Sequence, residues 1–212
     1  MGKKIFKSIL VFFVILYASS FKGGLLITHS YADSIKLMGT VNPKSDFGAF
    51  PVKIDWNDKV VVFIEFSKCL ETTVCQTPFK RHYSYENTLV REDSELNSEI
   101  LKQFKDDLGI ENMIIDKLNH IRENQPLPRM VLSENISVQE RYSASQIHSP
   151  YFKCQYDIVY QNKTLRTEDC GTSFIMGVFQ NPLNLQEFAI KSYSCGASNC
   201  TGGLSIFKLA KN

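Results

Sequence analysis

Catalytic signatures are what this chain lacks. No serine occupies a Gly-x-Ser-x-Gly elbow, no His-Glu-x-x-His pair occurs, and no phosphate-cradling glycine loop is present. Six cysteines are present but none in a Cys-x-x-Cys spacing, which removes the thioredoxin-type redox site and the repeated ligand pairs of structural zinc. Repeats, collagen-like periods and low-complexity tracts are missing as well. No cofactor, metal ligand set or catalytic residue follows from the sequence.

An excess of either charge is also missing. The 24 Lys and Arg face 22 Asp and Glu, and four of the lysines, Lys3, Lys4, Lys7 and Lys22, fall in the first 32 residues, where there is no acid. The remainder carries 20 basic against 22 acidic groups, a net −2, so the basic character belongs to the N-terminal segment and implies no nucleic-acid partner. That segment has a lysine-rich start, an apolar run from Ile9 to Ala18, and the small-residue pattern Ser30-Tyr31-Ala32 before Asp33. This order predicts a secretory signal peptide over residues 1–32 and a single domain over 33–212. Lys22-Gly23-Gly24 breaks the apolar stretch well short of the about 20 residues a spanning helix needs, so the membrane enters only through this segment if it is retained. Export to the periplasm or cell exterior follows, with a lean to the bacterial case.

All six cysteines lie after the segment, in a compartment where disulfides form. Their spacing favours neighbour pairing: Cys69 with Cys75, Cys195 with Cys200, and Cys154 with Cys170, which lie equally far on either side of Asn162. On the chain-entropy account each such bridge contributes roughly 2–3 kcal/mol.

Three stretches of secondary structure are predicted. Val60 to Phe66 reads as a buried strand. Leu96, Ile100, Leu101, Phe104 and Leu108, capped at Ser94 or Ser98 and stopped at Gly109, read as one helix, and Ile114, Leu118 and Ile121 as a second, ended by Pro126 and Pro128. The C-terminal part, about 129–212, returns to strands. From Tyr151 to Tyr160 apolar and polar residues alternate, Gln161-Asn162-Lys163 turns the chain, and further runs lie at 165–170, 172–179, 185–195 and 203–209. The predicted fold is therefore α+β, mainly antiparallel, disulfide-stabilised, with a helical hairpin at about 94–124 between two strand-rich blocks.

Candidate functional residues are few. His82 and His148 fall in expected loops and His120 on the second helix, while Glu92, Asp93, Glu95 and Glu99 gather where the first helix would begin, a position that the helix dipole explains without a substrate. Ser198 sits in a small-residue loop between Cys195 and Cys200, and Trp56 reads as a core or rim residue. Three glycosylation-type sequons begin at Asn135, Asn162 and Asn199. The most binding-like surface is the stretch from Lys80 to Tyr85, read as an exposed loop in which Arg81, Tyr83 and Tyr85 would contact a partner. These features favour an exported, non-catalytic domain that binds a protein or cell-envelope partner; the alternative is an exported hydrolase whose His/carboxylate site is dispersed in sequence.

Overall fold

Alternation of apolar and polar side chains governs most of the chain, and 65% of the described residues are strand. The structure, a computed structural model, describes residues 32–44, 48–65, 79–93, 110–123, 125–144, 152–195 and 200–211, with backbone alone at 110–112, 143–144, 152, 195 and 200. By its contacts the chain divides into residues 1–31, all outside the described set, and a unit from Ala32 to Asn212. The second unit begins with β1 (Ser34–Val41), β2 (Ala49–Asp55), β3 (Val60–Glu65), β4 (Phe79–Ser84) and β5 (Leu89–Asp93). After helix α1 (Ile110–Arg122) come β6 (Met130–Val131), β7 (Ile136–Ala144), β8 (Phe152–Tyr160), β9 (Lys163–Gly171), β10 (Phe174–Gln180), β11 (Glu187–Cys195) and β12 (Cys200–Ala210).

The expected α+β fold with a helical hairpin is overturned. The fold is mostly β-sheet, and α1, which coincides with the second expected helix, is the single helix among the described residues. Residues 94–109, where the first helix was expected, lie outside them, but Glu92 and Asp93 do not begin a helix: they end β5, paired in register with Arg81 and Lys80 of β4. Acids read as dipole partners are instead cross-strand partners of bases.

Eight strands form one sheet in the order β10-β11-β12-β2-β3-β4-β5, with β1 also paired to β12, and β6-β7-β8-β9 form a second. All registered pairs are antiparallel except Thr201 to Ala49, where β2 meets the start of β12 in parallel. Along most of its length β12 lies between β11 and β1, and this central layer is apolar on both faces. Phe188, Ile190 and Phe207 face Val138, Tyr156 and Ile158 of the four-stranded sheet. The alternate residues Ala189, Leu204 and Ile206 join Val61, Phe63, Tyr83 and Tyr85 on the other side. A strand buried on both faces reads as a continuous apolar run rather than an alternating one, as Phe188-Ala189-Ile190 does.

The β8–β9 hairpin turns on Gln161 and Asn162, both with positive φ (48° and 64°), the backbone of a two-residue primed turn. Cys154 and Cys170 are disulfide-bonded across it, with Cα atoms 5.1 Å apart. Cys69 and Cys75 lie outside the described residues. Cys195 and Cys200 are direct backbone partners in the β11–β12 ladder, but their side chains lie outside the described set.

Candidate functional site

Two carboxylates are buried at positions that strand periodicity assigns to the core. In β7, Ile136, Val138, Glu140 and Tyr142 share one face, and Glu140 is 3% exposed. Its Oε1 accepts hydrogen bonds from the Tyr142 hydroxyl and the Ile175 N–H, both at 2.7 Å, and its Oε2 accepts one from Lys117 Nζ of α1. The same ammonium also donates to the Ile175 carbonyl. Ile175 lies on β10, the edge of the eight-stranded sheet, so carboxylate and ammonium together satisfy a backbone N–H and C=O as a further strand would. Burial lowers the Lys117 pKa against the opposing pull of Glu140, and burial followed by the Glu140 charge raises that of Tyr142.

Beside this pair a cavity of about 590 Å³ opens between the end of α1 and β7, lined by Ile121, Pro126, Leu127, Gln139, Arg141 and Tyr142 among others. Two of its polar groups are engaged at the walls: Arg141 donates to Asp157 at 2.7 Å, and the Gln139 amide donates to the Leu127 carbonyl at 3.0 Å.

Glu65 is the second buried acid, again closing an inward stripe, after Val61 and Phe63 of β3. The Tyr83 hydroxyl donates to its Oε1 at 2.5 Å, and Arg81 bridges its Oε2 to Glu92, each contact 2.7 Å. Burial alone would lower the Arg81 pKa, but the hydrogen bonds to Glu92 and Glu65 hold it above the usual value. Burial and the bond to Glu65 also raise that of Tyr83.

These contacts correct the reading of residues 80–85 as an exposed loop. Arg81 and Tyr83 lie on strand β4, Tyr83 and Tyr85 are buried in the core, and Arg81 is spent on two carboxylates. Burial, with a smaller push from Glu187 and Asp55, takes the Tyr85 pKa up to about 12. The linear sequence shows a polar, basic stretch because its partners lie on β3 and β5. Trp56 is half-buried against the same core cluster, and Ser198 and His148 lie outside the described residues.

His82 is on β4 too, not in a loop. Its Nε2 lies 3.1 Å from Asp93 Oδ2 and 3.2 Å from Arg91, with Lys80 also on Asp93 at 3.0 Å. Burial lowers its pKa, which Asp93 opposes and Arg91 and Lys80 reinforce. His120, on α1, has a buried Nδ1 without a hydrogen-bond partner. Among the described residues no group of three or more His, Cys, Asp or Glu could hold a metal ion.

A pH dependence follows. As pH falls below the ordinary imidazole value of 6.5, the unfolded chain takes up a proton that folded His82 resists, so stability declines with acid. Asp93, held below 3.8 first by its hydrogen bond to Lys80, adds stability that persists through this window and is lost only at lower pH. Urea midpoints measured from neutral pH down to about 5 are expected to fall, and His82→Gln is expected to flatten that slope.

A different kind of surface lies at the β10–β11 turn. Leu183 and Leu185 are 69% and 65% exposed, and Phe179, which precedes them, is 45% exposed. These are three of the eight large apolar side chains exposed among the described residues. Asn181 at their base is buried: its Oδ1 accepts from the Leu183 N–H and its Nδ2 donates to Glu187. The Asn184 side chain accepts from the Gln186 N–H, and Gln180 Nε2 donates to the Leu185 carbonyl. Gln180, Asn181 and Asn184 thus each bond the turn's own backbone, which defines its conformation. In the sequence it falls in and beside the gap between the expected runs at 172–179 and 185–195; two leucines alternating with asparagine and glutamine were the available signal.

Comparison with known proteins returns no match: no family model, no characterised protein and no solved structure resembles this chain.

Proposed function

We propose that this chain is an exported, disulfide-stabilised, non-catalytic domain that binds a protein or cell-envelope partner. The observation that carries this reading is how the buried ionisable groups are used. Glu140 and Glu65 direct their carboxylates at Lys117, Arg81, tyrosine hydroxyls and a backbone N–H, bonds that hold strands together. A general acid or base must present its proton to a substrate. The Cys154–Cys170 bridge supports an oxidising compartment, and no helix among the described residues is long and apolar enough to cross a membrane.

The contact of His82 with Asp93 favours a second reading, the exported hydrolase, since a histidine oriented by a carboxylate is half of a nucleophile-activating set. Arg91 argues against it, because it lies on the same Nε2 as Asp93, and one tautomer cannot both donate that nitrogen's proton to the carboxylate and accept from the guanidinium. In the test, the oxidised protein and His82→Gln are applied to envelope fractions of the source cell and to ester, peptide and glycan substrates. Equal envelope binding and no hydrolysis are expected. Turnover that His82→Gln abolishes at an unchanged melting temperature would reverse the assignment.

A further inference from the structure

The β10–β11 turn and the point where the chain enters the domain lie at the same end of the central layer. Ser34 pairs with Ala210, Glu187 with Lys208, and Gln180 with Phe188, and the Asp33 N–H donates to the Ala210 carbonyl. The turn at this end carries the exposed Leu183 and Leu185, while Lys36, Lys208, Lys211, Asp33 and Glu187 belong to the adjoining strand ends, Lys208 being paired with Glu187.

We propose that this end of the domain contacts a lipid surface, with Leu183 and Leu185 entering the interfacial region of the bilayer and the neighbouring lysines at the headgroups. The inference rests on the reading of the chain as an exported binding domain and names its cell-envelope partner.

Three observations favour lipid over a protein cleft. First, the acyl chains that the leucines would touch offer no hydrogen bonds, so the loop that carries them is favoured to satisfy its own backbone. Of the six N–H groups from 181 to 187, those of Asn181, Leu183, Asn184, Gln186 and Glu187 donate to acceptors within the loop. Second, residues 180 to 186 carry no ionisable side chain, while lysines outnumber acids just behind them, which is how interfacial segments distribute charge. Third, the surface that Leu183 and Leu185 expose is far smaller than the about 800 Å² each partner buries in a standard protein interface, yet it suits shallow insertion.

The experiment uses the full chain as exported, with Leu185→Trp as reporter and Trp56→Phe to remove the native tryptophan signal. On titration with vesicles of phosphatidylethanolamine and phosphatidylglycerol, Trp at 185 is expected to shift to the blue and to be quenched by bromine-labelled acyl chains. Leu183→Ser with Leu185→Ser is expected to reduce co-sedimentation with the same vesicles by about tenfold, without changing the melting temperature, because both side chains are exposed. Emission unmoved by vesicles, or co-sedimentation unaffected by the serines, would overturn the lipid contact. If envelope fractions still bind the protein in that event and the serine variant does not, the tip is a protein-docking surface and the binding reading stands. If envelope binding is absent too, both fall.

Discussion

Replacing Glu140 with alanine is expected to destabilise the fold by about 3–5 kcal/mol, measured as a shift of the urea midpoint at unchanged slope. The variant strands the Lys117 ammonium in a buried site and removes the acceptor of the Ile175 N–H in one step. Glu140→Leu combined with Lys117→Met separates the two contributions. Removing both charges together is often close to neutral for a buried pair, so recovery should be large if charge burial dominates. Recovery should stop short of wild type, because the Ile175 N–H and C=O then both lack partners at the sheet edge. Full recovery would show that the pair contributes nothing by closing that edge.

Gly39→Ala should cost about 3 kcal/mol, at the upper end of overpacking effects, read as a lowered melting temperature. A Cβ at this position would lie 2.2 Å from the Tyr85 carbonyl oxygen and 2.9 Å from its carbonyl carbon. Both obstacles include backbone that cannot rotate away, and Tyr85 is itself fixed in the core. Gly39 also follows the register shift that leaves Met38 without a partner in β12, and the pairing of Gly39 with Ile206 resumes directly after it. Gly171→Ala provides the contrast. Nothing lies within 4 Å of its added carbon, and its φ of +58° leaves only the left-handed backbone penalty of about 1–2 kcal/mol.

The β8–β9 hairpin was legible because each of its signals is local. Its alternation runs unbroken from Phe152 to Ile158, the turn residues sit in the middle, and the cysteines mark equal distances from it. Strands β4 and β5 were not, since Phe79–Ser84 and Leu89–Asp93 owe their polar residues to each other. Lys80, Arg81 and His82 look like a solvated basic spot until Asp93 and Glu92 are placed opposite them. The same error gave β5 to a helix start. The buried ion pair joins residues 23 positions apart and depends on the register of a third element, β10, which no local pattern encodes. Half of it could still have been found. An acid in an inward slot of an alternating strand, as Glu140 is after Ile136 and Val138 and Glu65 after Val61 and Phe63, demands a buried partner wherever it occurs.

The central layer also dictates when this chain can fold. Strand β1 finds its hydrogen-bonding partner in β12, Ser34 opposite Ala210, at positions 176 residues apart. During N-terminus-first synthesis β1 therefore emerges long before the strand that completes it, and the two-sided core around Phe207 cannot assemble until nearly the whole chain is available. Such distant pairing makes closure slow. Under the export proposed above, that delay would keep the chain threadable and would place the commitment to the native state on the far side of the membrane.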